Sequence, residues 1–188
     1  MDILQEYKDL YYKELEICDR LNNKIGTALT LLSIIGAGQI ILWKDIYLIK
    51  FEECSHLLYL VLSAISLIIY IIAICFFKKA YTGYKYEYLP ISGINEYVEN
   101  SKNYVELNGI SENQMNNYIA NMFTRKYINN TIINRKHNLT KIKYQYKLTR
   151  YICFAFIALF LAYSVWTFTI NPIKENSNSN YIIINKEG

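Results

Sequence analysis

Three long apolar runs, separated by polar segments, dominate the hydrophobic pattern of this chain. They cover residues 25–43, 57–77 and 151–170, and none of them contains Asp, Glu, Lys or Arg. Each run is close to the roughly 20 residues that a helix needs to cross the hydrocarbon core of a bilayer. The pattern therefore predicts an all-α integral membrane protein with three transmembrane helices.

The residues before the first run have an amphipathic pattern. Their apolar side chains recur at helical spacing, at Leu4, Tyr7, Leu10, Tyr11, Leu15, Cys18 and Leu21. Charged residues of both signs occupy the other positions, unlike the short basic segment of a cleavable secretory signal. We predict an N-terminal amphipathic helix over residues 1–24 that leads into the first span and either packs on protein or lies along the membrane surface.

The segment between the second and third runs predicts two further helices. Gly109 is typical of the position just beyond a helix C-terminus, and Ser111 with Gln114 forms a capping box that opens the next helix. No Gly or Pro follows until Pro172, so this helix is expected to continue into the third span. A break at Asn129–Asn130 is the alternative, because two poor helix formers are adjacent there.

Lys and Arg are concentrated on one side of the predicted spans. Residues 78–150 contain 12 of them, whereas residues 44–56 and the residues beyond 171 contain 2 each. Loops rich in Lys and Arg stay in the cytoplasm, so the N-terminus and the long helix before the third span are expected to be cytoplasmic.

These elements divide the chain into five segments. They are the amphipathic helix (1–24), a transmembrane hairpin (25–77), a cytoplasmic helical sensing segment (78–150), the third transmembrane helix (151–171) and a disordered tail (172–188). The tail is expected to be disordered because it contains the polar run NSNSN.

Clusters that support catalysis, metal binding or ion coupling are missing from the sequence. The four cysteines form no CxxC pair, and neither histidine stands near a Cys, Ser or carboxylate pattern typical of a catalytic or zinc site. Nucleotide-hydrolysis motifs such as GxxxxGK[ST] are also missing. The expectation is a protein that is not an enzyme, with no catalytic residues, no metal and no cofactor. The uncharged spans argue against a coupled transporter.

Small and hydroxylated residues lie at helical spacing within the predicted spans. Four of them are candidate functional positions: Thr30, Ser33, Ser63 and Ser66. One interpretation is helix packing, because small side chains let helices approach closely in lipid. The other is that one stripe lines a pore formed by several subunits, since three spans alone cannot enclose a water-filled channel.

The most informative stretch runs from Asn113 to Lys174, where the chain has basic but no acidic side chains. Six of its cations form the candidate ligand-binding set: Arg125, Arg135, Lys136, Lys143, Lys147 and Arg150. They are expected to contact anionic lipid, a nucleotide or short oligonucleotide through its phosphates, or a protein or RNA partner. Anionic lipid accounts least well for Arg125. The excess of Lys and Arg that flanks a span on its cytoplasmic side is found within about 15–20 residues of the span, and Arg125 lies farther away.

A heptad-like apolar seam lies beside these cations on the same predicted helix. Its members are Ile128, Ile132, Leu139, Ile142 and Tyr146. Seams of this spacing bring helices together, so we predict that the protein forms a homo-oligomer in which the cations of several copies converge.

Two stretches of the sequence resemble the bacterial SLATT group, the SMODS and SLOG associating two-transmembrane effectors of anti-phage systems. The stretches are YKDLYYKELEICDRLNNKIGTALTLLSIIGAGQIILW and YINNTIINRKHNLTKIKYQYKLTRYICFAFIALFLAYSVW. The shared pattern is a helix that leads into a membrane hairpin, followed by a long helical segment. The third span of this chain departs from that pattern, so the resemblance does not carry over a subunit count.

The resemblance implies a membrane effector in antiviral defence by abortive infection. Such an effector is an oligomeric pore or ion channel in the bacterial inner membrane, gated by a nucleotide signal and encoded beside a nucleotide-producing enzyme such as a nucleotidyltransferase. The first alternative is a scaffold without a pore that anchors a partner enzyme through its cytoplasmic helices. The second is a toxin-like protein that permeabilises membranes without a ligand.

Overall fold

The computed structural model describes residues 3–44, 46, 49, 53–89 and 91–169, with only the backbone at 91–94. Five helices account for most of this part of the chain, and it contains no β-strand: α1 (Ile3–Asn23), α2 (Ile25–Lys44), α3 (Cys54–Tyr81), α4 (Ile91–Asn108) and α5 (Glu112–Thr169). Three helical stretches are long and apolar enough to cross a membrane: α1 with α2, α3, and α5. The predicted all-α membrane architecture is confirmed. The predicted disordered tail (172–188) lies outside the described residues.

The turn between α4 and α5 has the predicted glycine cap and one of the two hydrogen bonds of the predicted capping box. Gly109 has a positive φ of 64°, and the Ile110 N–H donates to the Val105 carbonyl at 3.3 Å, which closes the C-terminus of α4. The Gln114 side-chain oxygen accepts the backbone N–H of Ser111 at 3.3 Å and its hydroxyl at 3.1 Å. From there α5 continues for 58 residues without a break at Asn129–Asn130.

The helices belong to two compact units. Unit 1 comprises residues 1–24 and 81–142, and unit 2 comprises residues 25–80 and 143–188. Helix α5 contributes to both units, because its residues up to 142 belong to unit 1 and those from 143 belong to unit 2.

Unit 2 buries small and polar side chains together with some large apolar ones such as Ile35 and Leu42, and it exposes many other large apolar side chains. Ala155, Ala158 and Ala162 of α5 are buried, whereas Ile40 and Phe160 are exposed. This distribution is expected for helices that contact each other closely and are surrounded by lipid, because no hydrophobic force drives helices together in lipid. Unit 2 therefore has the packing of a membrane-spanning helix bundle.

Gly38 provides one of these close approaches, between α2 and α5. A Cβ at this position would lie 2.6 Å from Leu159 Cδ2. Gly38→Val is expected to destabilise unit 2 by about 1–3 kcal/mol, because the branched side chain must displace Leu159. Thermal unfolding in mild detergent measures the effect. Gly26→Val is the matched control in the same helix, since nothing lies within 4 Å of a Cβ there. Equal stability of the two variants would contradict the close approach.

Unit 1 consists of α1, α4, the first part of α5 and the extended segment at residues 84–89. The predicted apolar side of α1 packs on protein, with Tyr11, Cys18 and Leu21 buried. The segment at 84–89 has no regular secondary structure. The backbone groups of Glu87 and Leu89 in this segment exchange hydrogen bonds with side chains of α1 and α5.

Candidate functional site: a buried polar junction in unit 1

The buried face of α5 in unit 1 is polar. Asn134, Asn138 and Lys141 are 0%, 2% and 2% exposed. They are spaced i, i+4 and i+7, so they lie along one side of the helix. Buried polar groups are stable only when hydrogen-bonded, so the partners of these three residues determine how α1 and the segment at 84–89 are held.

Asn134 holds the backbone of the extended segment. Its Oδ1 accepts the Glu87 N–H at 2.9 Å, and its Nδ2 donates to the Glu87 carbonyl at 3.1 Å. The Tyr11 hydroxyl of α1 donates to the same carbonyl at 3.4 Å and accepts the Leu89 N–H at 3.2 Å. Side chains from two helices thereby replace the backbone partners that a strand would have in a sheet.

Asn138 connects α5 to both of its neighbours. Its Nδ2 donates to the Glu14 carbonyl at 2.7 Å and to Glu14 Oε2 at 2.8 Å. Its Oδ1 accepts the hydroxyl of Tyr86 at 2.8 Å. One amide therefore joins α1, the extended segment and α5, and it uses both its donor group and its acceptor group to do so.

Lys141 is a buried cation without a hydrogen-bonded carboxylate among the described residues. Its Nζ donates to Asn22 Oδ1 and lies 5.6 Å from the ring centroids of Tyr81 and Tyr84. Burial lowers the pKa of Lys141, because the charged form loses its hydration. Cys18, also buried, accepts a hydrogen bond from Asn22 Nδ2 at 3.5 Å.

We refer to this cluster as the polar junction. It comprises Glu14, Cys18 and Asn22 of α1, residues 84–89, and Asn134, Asn138 and Lys141 of α5. Each of its three elements continues along the chain into a different span: α1 leads into α2, residues 84–89 follow α3, and α5 contains the third span. The junction therefore joins three chain segments, each of which is connected along the chain to a different span.

The structure leaves the predicted ligand-binding cations exposed and does not gather them into one site. Arg125, Arg135 and Lys136 are in unit 1, and Lys143, Lys147 and Arg150 are in unit 2; all six side chains are exposed. Two of them lie over rings of unit 2: Lys147 Nζ is 5.5 Å from the ring of Phe76, and Arg150 Cζ is 5.3 Å from that of Phe154.

The four hydroxyl residues fall into two pairs. Ser63 and Ser66 are buried, and Ser66 Oγ accepts Gln39 Nε2 at 2.6 Å and donates to the Ala155 carbonyl at 3.4 Å. Ser66 thereby contacts both α2 and α5, whereas Ser63 donates to the Leu60 carbonyl of its own helix at 2.9 Å. Thr30 and Ser33 are exposed, and each donates to a carbonyl of its own helix, at 3.0 and 2.9 Å.

Sequence reasoning missed the polar junction because it followed charge and apolar spacing. The apolar seam is largely exposed within one chain and lies roughly 120° around α5 from the buried polar face. The sequence does contain a signal for this buried face, which is the helical spacing of Asn134, Asn138 and Lys141. The same spacing continues to Leu148 and Ile152, which are also buried.

The fold defines an all-α, multi-pass membrane protein, and the polar junction lies in its unit 1. No protein-family model, no curated protein and no solved structure matches this chain. The resemblance to the SLATT group stays a prediction. Among the described residues there is no group of three or more His, Cys, Asp or Glu that could hold a metal ion.

The buried charge of Lys141 predicts how the stability of unit 1 depends on pH. Because its pKa is lowered in the folded state, the unfolded chain binds more protons, and stability should rise as pH increases toward the ordinary value of 10.5. Lys141→Met should remove this rise and stabilise unit 1 at pH 7, because an apolar side chain replaces a desolvated cation. Hydrogen exchange of α1 at several pH values measures both effects. Lys136→Met, at an exposed position of α5, is the control, and the same pH dependence in both variants would contradict the prediction.

Proposed function

We propose that this chain is a subunit of an oligomeric membrane effector in an anti-phage, abortive-infection system. Several copies form a pore or ion channel in the bacterial inner membrane, with the N-terminus in the cytoplasm, and disrupt that membrane during infection. Unit 1 senses a nucleotide or short oligonucleotide, made by a neighbouring nucleotidyltransferase. The observation that carries the proposal is the polar junction. A change at the junction acts on three chain segments, and each of these segments is connected to a different span.

Helix α5 supplies the mechanical connection in this proposal. It contributes Asn134, Asn138 and Lys141 to the junction and continues without interruption into unit 2. Each hydrogen bond of the junction contributes only about 0.5–1.5 kcal/mol, so the junction can rearrange at moderate cost. A ligand that binds one arrangement a few kcal/mol better than the other is enough to shift the population.

The pore in this proposal forms between copies and not within one copy. The buried faces of α3 and α5 in unit 2 are filled by packed side chains, including Ser63, Ser66 and Ala155. Thr30 and Ser33, in contrast, present hydroxyls on an exposed face of α2. A polar stripe on an otherwise apolar surface is suited to line a water-filled passage when several copies assemble.

The exposed cations of unit 1 support an anionic signal. Arg125, Arg135 and Lys136 lie in a stretch without Asp or Glu, so their field is not cancelled by acidic residues of the same stretch. Phosphate-bearing ligands are attracted to such a surface, and their binding weakens as salt concentration rises. Anionic lipid contributes to the same attraction for the cations nearest the span, Lys147 and Arg150.

Dye release from liposomes tests this function. The full chain is reconstituted in liposomes, and release is compared with nucleotide extract from phage-infected cells and with the same extract after nuclease and phosphatase treatment. We expect release to differ between the two extracts. Equal release would favour an ungated toxin-like protein. No release with either extract would favour the scaffold that anchors a partner enzyme.

Reporter fusions test the orientation that the proposal requires. A reporter active only in the cytoplasm should function when fused after Gly109 and fail when fused after Gly188, because the 12 basic residues of the 78–150 segment hold that segment inside. Cytoplasmic activity at both points would mean that one span does not cross the membrane. Reporter activity only after Gly188 would indicate the opposite orientation and would exclude a cytoplasmic sensor in unit 1.

A further inference from the structure

The hairpin formed by α4 and α5 in unit 1 contains a cavity of about 470 Å³. Small-molecule sites typically have volumes of about 300–1,000 Å³. The lining residues come from both helices and from Ile110 in the turn between them. The cavity is separate from the polar junction, and none of its lining residues is charged.

Three tyrosines form the aromatic part of the cavity wall. Tyr97 and Tyr104 belong to α4 and Tyr118 belongs to α5, and the hydroxyl of Tyr97 donates to that of Tyr118 at 3.4 Å. Tyr104 and Tyr118 are each 62% exposed, so their rings are accessible. Aromatic side chains of this kind stack on planar nucleobases, and the amides of Asn100 and Gln114 add donors and acceptors suited to base edges.

Positive charge lies at one end of this cavity. Lys126 Nζ is 5.7 Å from the centroid of the Tyr97 ring, which forms part of the wall. Arg125 follows Gln114 and Tyr118 at positions i+11 and i+7, so it lies on the same side of α5 as these two lining residues. Of the three acidic residues of α4, Glu99 and Glu106 fall on roughly the opposite side of that helix from Tyr97 and Tyr104, whereas Glu96 lies one turn before Asn100 of the lining.

We propose that the α4–α5 cavity binds a nucleotide, with the base against the tyrosines and the phosphate toward Lys126 and Arg125. This inference rests on the proposed function and names the site of its signal. Helix α4 begins at Ile91, directly after the segment that Asn134 and Tyr11 hold. A ligand that draws α4 and α5 together therefore acts on the polar junction through a connection of only a few residues.

Equilibrium dialysis of the full chain in detergent tests the site. The probes are radiolabelled AMP, GMP, CMP and UMP, with adenosine and inorganic phosphate as comparison ligands. We expect saturable binding of at least one nucleotide. Tyr118→Ala should weaken it about tenfold or more by removing a stacking surface. Lys126→Gln should weaken the binding of the nucleotide severalfold and leave that of its nucleoside unchanged.

Matched variants test whether the effect is specific to the cavity. Tyr146→Ala on α5 and Lys13→Gln on α1 replace exposed side chains of the same types outside the cavity and should leave binding unchanged. The proposal is overturned by an absence of saturable binding at millimolar nucleotide, by full binding in Tyr118→Ala, or by inorganic phosphate competing as well as the nucleotide. Nucleotide-dependent dye release in liposomes together with full binding in Tyr118→Ala would overturn this site and keep the proposed function.

Discussion

Replacing Asn138 by leucine is expected to lower the free energy of unfolding of unit 1 by about 2–4 kcal/mol. The amide joins Glu14 of α1, Tyr86 of the extended segment and α5 through three hydrogen bonds. Leucine has a similar size and no polar atoms, so the substitution leaves a partly buried hydroxyl and a carbonyl without their partners at about 1–3 kcal/mol each. Hydrogen exchange of α1 and of residues 84–89 in detergent measures the loss.

The same variant tests whether the polar junction couples unit 1 to the spans. In the liposome assay, the Asn138→Leu chain should still insert into the membrane. It should release the same amount of dye with the untreated extract as with the extract treated with nuclease and phosphatase. Asn129→Leu is the matched control, because it makes the same change at an exposed position of the same helix. If Asn138→Leu kept both the exchange protection and the extract dependence of Asn129→Leu, the junction would have no role in stability or coupling.

Replacing Leu139 and Ile142 together by aspartate is expected to dissociate the assembly. Both side chains are exposed within one chain, at 60% and 44%. Their replacement therefore leaves the fold of unit 1 intact. If copies pack through the seam, each aspartate becomes a buried, unpaired charge, and the dissociation constant should rise by about a hundredfold or more. Light scattering of the purified chain in mild detergent gives the mass of the particle directly.

A control for this variant adds charge beside the seam. Asn129→Asp with Lys136→Asp changes two exposed residues of α5 that lie outside the seam, and the particle mass should stay that of the wild type. A wild-type mass for the seam variant as well would mean that copies meet through another surface, such as the outward-facing stripe of Thr30 and Ser33 on α2. Dissociation of both variants would indicate a general effect of charge.

The architecture of the spans follows from local sequence alone. Apolar runs of about 20 residues without a charge leave few alternatives to membrane-crossing helices, because lipid requires every backbone group to be satisfied within the helix. The bounds of α4 and α5 are equally local, since Gly109, Ser111 and Gln114 satisfy the helix ends with their own backbone and side-chain groups. The absence of Gly and Pro between Ser111 and Pro172 is enough to predict that α5 continues into the third span.

The partners of these helices could not be predicted in the same way, because they depend on contacts between residues far apart in sequence. The pattern indicated Lys136 and the seam as the functional face of α5, yet within one chain that helix buries Asn134, Asn138 and Lys141. Polar side chains can be buried there only because Glu14, Asn22, Tyr86 and Glu87 supply hydrogen-bond partners from other elements. Hydropathy records the cost of burying an asparagine or a lysine but not the partner that offsets it. The sequence by itself therefore determined which helices form and which of them can cross a membrane. Only the tertiary structure decided which face of each helix is held within the chain and which remains exposed.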